Sequence, residues 1–201
     1  MLFTSLCNLS VAQEYAIEER TVTGIFPAGG RSADEITDLA NAWILRQENN
    51  TSLNVASIEQ RQGRIRVTGV NEAIYRNLGR IMYPNRSAMA EMLTGKFGYQ
   101  MEIFPQDNAY TVVYSIVDMQ EEHYGFDELF YECINFNELD PDAIASYNKS
   151  MERFLKGNVV FKKRRQLFAE NSPNQFREAS DHLRTTIQVA MDDLYEYVTG
   201  N

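Results

Sequence analysis

The clearest periodic signal lies between residues 32 and 48. Ile36, Leu39, Ala40, Trp43 and Ile44 recur at three, four, seven and eight residues, the spacing of one helical face, while Asp34, Asp38, Arg46 and Glu48 occupy the other. Ser32 and Glu35 have the spacing of a capping box, and Pro27, Gly29 and Gly30 break the strand that precedes them. The Asn49-Asn50-Thr51 cluster ends the run. A helix with one apolar stripe needs a sheet or a second helix to cover it.

Strand patterns follow. Residues 53 to 60 are β-prone, Arg61-Gln62-Gly63 supplies a turn, and Ile65 and Val67 then alternate with Arg64, Arg66 and Thr68 until the strand runs out near Tyr75. This predicts a hairpin with one wet face. In a second pair Tyr99, Met101 and Ile103 alternate with Gln100 and Glu102, and Pro105-Gln106-Asp107-Asn108 turns the chain into residues 110 to 119. That last strand has Val112, Tyr114 and Ile116 on one side and Val113 and Val117 on the other, which predicts a central strand covered on both faces. Between the pairs, residues 86 to 93 are read as a short helix.

Beyond residue 140 the pattern is helical. Asp140 caps and Pro141 fits the first position of a helix carrying Ile144, Tyr147, Met151, Phe154 and Leu155, which Gly157-Asn158 terminates. Residues 159 to 168 are read as a second helix with the basic run Lys162-Lys163-Arg164-Arg165. A third is expected from Ser172-Pro173 through Phe176, Leu183, Ile187, Ala190, Leu194, Tyr197 and Val198 to Gly200. The expectation is α+β: an antiparallel helix-on-sheet part at 13–120, an acidic and aromatic connector at 121–140, and a helical part at 141–201.

Composition narrows the function classes. With 201 residues and 44% hydrophobic content the chain supports one core, and no linker-like stretch divides it. The formal net charge of -9 repels phosphate backbones and disfavours nonspecific nucleic-acid binding. No segment approaches the ~20 apolar residues needed to span a bilayer. Residues 1–12 contain no charged residue, are apolar around Leu2, Phe3, Leu6, Leu9 and Val11, and finish in Ser10-Val11-Ala12, a small-x-small pattern. They read as the remnant of a secretory signal whose basic start is missing, which places the mature protein in the periplasm or outside the cell. Removal of Cys7 with that signal would leave Cys133 alone and exclude an intrachain disulfide.

A family resemblance rests on Asp38-Leu39-Ala40-Asn41-Ala42-Trp43, on Gly63-Arg64-Ile65-Arg66-Val67-Thr68-Gly69 and on the final strand pair. Over about residues 16 to 119 the chain resembles an uncharacterised family of secreted bacterial domains described as having a fold like the TATA-binding protein. The resemblance implies a curved antiparallel sheet packed on helices. Where that family carries a lysine-aspartate-glycine-arginine type of turn, this chain has Pro105-Gln106-Asp107-Asn108. No reaction is implied.

Four constellations offer chemistry. Gly29, Gly30, Arg31 and Ser32 open the first helix, where free backbone N–H groups beside an arginine suit an anion. Asp118, Glu121, Glu122 and His123 are hard-ligand types at close spacing and candidates for a divalent metal, without the regularity of a calcium loop. Tyr124, Phe126, Phe130 and Tyr131, interleaved with acids, are candidates for binding a partner. Cys133 and His182 lack a recognisable nucleophile context, and Cys133 reads as a small buried hydrophobe. No cofactor is indicated. The expected function is a noncatalytic binding or scaffold module of the cell envelope that holds a protein, peptide or glycan. The alternative is a metal- or carboxylate-dependent hydrolase using segment 118–132.

Overall fold

The computed structural model describes residues 15–47, 53–61, 63–120, 126–159 and 161–200. Its strands are β1 (Tyr15–Glu18), β2 (Thr21–Pro27), β3 (Asn54–Arg61), β4 (Arg64–Arg76), β5 (Met92–Gln106) and β6 (Ala109–Met119). They form one sheet in the order β1-β2-β6-β5-β4-β3, and every pairing is antiparallel. The helices are α1 (Ala33–Gln47), α2 (Leu78–Met82), α3 (Asp127–Glu132), α4 (Pro141–Asn158) and α5 (Lys162–Thr199). The α+β class expected from the patterning is the observed one.

Alternation decides which sheet face meets the helices. Val22 and Phe26 on β2, Ile65, Val67, Ala73 and Tyr75 on β4, and Phe97, Tyr99, Met101 and Ile103 on β5 are buried. So are Tyr110, Val112, Tyr114 and Ile116 on β6. Helices α1 and α5 pack on this layer, α1 against β5 and β6 and α5 against β2 and β4. In β4 the approach of β3 requires a residue without a side chain, since a Cβ on Gly69 would stand 2.0 Å from the Asn54 carbonyl oxygen.

Helix α1 starts where the capping-box spacing places it. The Ser32 backbone N–H donates to Glu35 Oε2 at 2.8 Å, and the Glu35 N–H returns to Ser32 Oγ at 3.3 Å. Ile36, Ala40, Trp43 and Ile44 are buried on its inner face. Trp43 is 1% exposed, and its Nε1 donates to Asp193 Oδ2 on α5 at 2.7 Å; Gln47 Nε2 reaches the same oxygen at 2.9 Å. Residues 48–52, where the sequence ends this helix, lie outside the described residues.

Four expectations need correction. The first strand is a hairpin of β1 and β2 joined by Glu19 and Arg20, with Glu19 at φ 39°. The short helix falls at α2, capped by the Asn77 side chain accepting from the Gly79 N–H, because residues 86 to 91 turn and β5 begins at Met92. Strand β6 is covered on one face only: it is interior to the sheet, yet Val117 is 47% exposed and Val113 half-buried. Apolar side chains on both sides of a strand thus did not mean two buried faces. Finally, the second and third C-terminal helices are one helix of 38 residues, about 55 Å long.

Pro173 lies inside α5. It removes the N–H that would reach the Ala169 carbonyl, and the Ser172 hydroxyl stands 3.2 Å from that oxygen. The same hydroxyl is 2.9 Å from Asn148 Oδ1 on α4, so it also ties the two helices where the ladder is interrupted.

Two stability measurements follow. Trp43→Phe removes a buried N–H donor from a carboxylate and leaves a void, and should lower unfolding free energy by about 2–4 kcal/mol in urea titrations. An unchanged midpoint would show that the α1–α5 contact is dispensable. Pro173→Ala restores the missing backbone donor and should raise stability by about 1–3 kcal/mol; a loss would show that the packing depends on the proline ring.

Candidate functional site

The helices seal one face of the sheet, and the other face carries the residues that alternate outward. In the middle of the sheet Thr21 and Thr23 on β2 lie beside Ser115 and Val113 on β6, which lie beside Gln100 and Glu102 on β5. These continue to Thr68 and Arg66 on β4. The rows are mostly polar side chains, with Val113 the exception, and all are half-buried. Thr21 Oγ1 and Ser115 Oγ are 2.9 Å apart, and Ser57 Oγ and Thr68 Oγ1 are 2.8 Å apart. Hydroxyl and amide groups along antiparallel strands offer donors and acceptors at regular spacing to an extended ligand.

Charge and apolar groups border these rows. One carboxylate oxygen, Glu102 Oε1, accepts from Arg64 Nη1, Arg66 Nε and Arg66 Nη2, each at 3.0 Å. Two guanidinium groups thus share one oxygen of Glu102. Next to them Phe104 is half-buried, and across Thr111 from it Ile25 is 66% exposed. The face therefore combines polar rows with apolar contact at one side.

The residues singled out in the sequence fare differently. At the start of α1 Gly29 and Gly30 take φ of 61° and 87°, which glycine adopts freely, but the anion-binding reading is corrected by what occupies the donors. The Ser32 N–H goes to Glu35, the Ala33 N–H to Asp107 Oδ1 at 3.0 Å, and the Glu35 N–H to Ser32 Oγ. The Ser32 N–H, then the Ser32 hydroxyl, hold the Glu35 carboxyl below its ordinary range. Arg31 turns away, with its Nη2 3.4 Å from the Thr199 carbonyl oxygen at the end of α5, where a cation suits the helix dipole. The chain supplies its own anions here.

Of the metal candidates, Glu121, Glu122 and His123 lie outside the described residues. Asp118 is exposed and accepts the Gly98 N–H at 3.0 Å, where the pairing of β5 with β6 shifts register. Among the described residues no three His, Cys, Asp or Glu side chains gather around a possible ion.

The aromatic candidates divide. Tyr124 lies outside the described residues. Phe130 is corrected from partner-binding to core: it is 3% exposed, with rings of Phe176 at 5.0 Å, Tyr75 at 5.1 Å and Tyr147 at 6.1 Å. Tyr131 is half-buried, donates its hydroxyl to the Ile116 carbonyl at 3.1 Å and lies under the Arg20 guanidinium at 4.6 Å. Phe126 is half-buried, edge-on to Phe154 at 5.7 Å. The packing of α3 explains part of the interleaving: Phe130 turns into the core while Glu128 and Glu132 are exposed and Asp127 is half-buried.

The residues of the open face escaped notice in the sequence because threonine, serine and glutamine carry no motif. Their signal was the strict alternation of Thr21, Thr23, Thr111 and Ser115 with buried neighbours.

Two solved bacterial proteins are similar to this arrangement. A TBP-like protein from Parabacteroides distasonis aligns with 89% of this chain and 91% of its own, at TM-score 0.47 and 17% identity. A DUF4468 family protein from Bacteroides ovatus aligns with 72% of this chain and 86% of its own, at TM-score 0.40 and 14% identity. No protein-family model and no curated protein matches the chain.

Cys133 is fully buried, and burial, followed by the nearby Glu132 and Asp140, pushes its thiol up to about 12. A thiol with a raised folded pKa leaves stability intact below its ordinary value near 8.5, and stability is lost as pH rises beyond it. In a Cys7→Ser background, native protein at pH 8 should react with a disulfide reagent at least about a hundredfold more slowly than urea-unfolded protein. Equal rates would place the thiol at the surface and reopen it as a nucleophile.

Proposed function

We infer that this chain is a noncatalytic binding module of the bacterial cell envelope, holding an extended peptide or glycan on the open face of its sheet. One observation supports this reading above the others. Among the described residues, the six-stranded sheet has its helices on one face, and the other is lined by Thr21, Thr23, Thr111, Ser115, Gln100 and Thr68 with Ile25 and Phe104 beside them. A surface of alternating short polar groups next to apolar contact is suited to gripping an extended polymer without chemistry. The envelope location is part of the proposal and follows from the signal-like residues 1–12 and the family resemblance. Among the described residues no helix is long and apolar enough to cross a membrane.

Amide and side-chain NMR shifts of labelled protein, titrated with cell-wall glycan fragments and with extended peptides, test it. Binding should move signals of Thr23, Thr111, Val113 and Ser115, and a Thr23→Glu/Ser115→Arg variant with native circular dichroism should weaken it about tenfold or more. Shifts confined to the helical side, or affinity untouched by the double variant, would remove the open face from consideration.

A further inference from the structure

A second surface lies on the other side of the molecule, between α4 and α5. It is a groove of about 590 Å³, within the size range of small-molecule sites. Ala145, Asn148, Lys149, Glu152, Leu155 and Lys156 form its α4 wall. Their spacing of three, four, seven, ten and eleven residues makes them one continuous helical stripe. The α5 wall repeats the device with Lys162, Arg165, Gln166 and Ala169, and Phe168 lies beneath.

The charge of this groove runs against that of the chain. Lys149, Lys156, Lys162 and Arg165 line it with Glu152 as the single acid, in a protein of formal net charge -9. Glu152 is taken by Lys156 at 3.0 Å. Lys149 and Lys162 have no carboxylate within ion-pair distance among the described residues. The first turn of α5 holds no acidic residue, and its N-cap Phe161 makes no side-chain cap, so the positive end of the helix dipole adds to the lysines. The floor is apolar, since Leu155 and Phe168 are buried there between the two walls.

We propose that the α4–α5 groove binds a small anionic amphiphile, its carboxylate head at the basic rim that Lys149 and Lys162 help to form and its apolar body along Leu155 and Phe168. Lysine stems cover the apolar wall and carry their ammonium groups to its rim, where a carboxylate forms charge-assisted hydrogen bonds. The size and the open mouth favour a molecule over a folded partner. This site is independent of the open sheet face.

Calorimetric titration of the full chain with octanoate at low salt tests it, with acetate as the head without the body and octan-1-ol as the body without the head. Saturable octanoate binding, weaker for both controls, with NMR shifts at Leu155 and Ala169, is the expected result. Lys149→Gln/Lys162→Gln should weaken it about tenfold, as the loss of two exposed charge contacts implies. Ala169→Glu, on an exposed helical position, should abolish it with unchanged circular dichroism. The proposal is overturned if octanoate does not saturate, if the lysine variant binds equally well, if the shifts fall elsewhere, or if a glutamate-rich peptide binds there while octanoate does not.

Discussion

Two adjacent carboxylates on α5 tie that helix to the sheet and to its neighbour α1. Asp192 accepts the hydroxyl of Tyr15 from β1, and Asp193 accepts Trp43 Nε1 and Gln47 Nε2 from α1. Successive residues on a helix point about 100° apart, so one short stretch can reach two different elements. About four turns earlier the same helix grips the sheet through Glu178, which takes the Arg76 guanidinium and its backbone N–H, and through Gln175, which donates to the Arg76 carbonyl. The Arg76 side chain, then its backbone and charge, hold the Glu178 carboxyl below the usual range against the opposing effect of burial. Helix α5 is therefore a strap across the inner face, fixed at β4 and again at β1.

This strap accounts for the asymmetry of the molecule. Phe26 packs against Tyr110 at 5.2 Å and Tyr195 at 5.7 Å, while Phe130, Tyr147 and Phe176 fill the other end beneath α3, α4 and α5. Aromatic rings of this size exclude water over much of the inner layer and make that face the core. Buried tyrosine hydroxyls are kept neutral there: desolvation raises the Tyr99, Tyr110 and Tyr114 hydroxyls, and at Tyr114 it outweighs the opposing effect of Asn71, which donates to the hydroxyl at 2.9 Å. With apolar cover on one side, the opposite face is largely polar, with Val113, Phe104 and Ile25 among its threonine, serine, glutamine, arginine and glutamate side chains. Surfaces available to a partner thus arise from where the helices are absent and from how α4 and α5 flank each other.

Local signals were legible where two of them agreed. Ser32 with Glu35 and the stripe through Trp43 gave the start and inner face of α1, and Asp140-Pro141 gave the start of α4, whose cap is the Asp142 N–H donated to Asp140 Oδ1 at 2.8 Å. Alternation separated Ile65 and Val67 from Arg64 and Arg66. Reading failed where a long-range contact outweighed the local preference. Ser172-Pro173 has the composition of a helix start, yet the helix continues because Ser172 serves the broken ladder and packs on Asn148. Gly29 to Ser32 has the composition of an anion site, yet Asp107 arrives from a hairpin 74 residues away and Glu35 folds back from the first turn.

By itself the sequence determined the identity and amphipathic faces of the main elements, because helical and strand periodicities are set by backbone geometry within a few residues. The expectation that Cys133 is a packing residue, drawn from nearby aromatic and apolar positions, agrees with its complete burial. Tertiary structure decided which aromatic residues are core, which sheet face is open and where basic side chains converge. Phe130 and Phe126 sit four positions apart in the same acidic segment, and only the rings of Tyr75, Tyr147 and Phe176 bury one more deeply than the other. Those differences come from groups far apart in the chain, brought together by the requirement that one face of a sheet be covered.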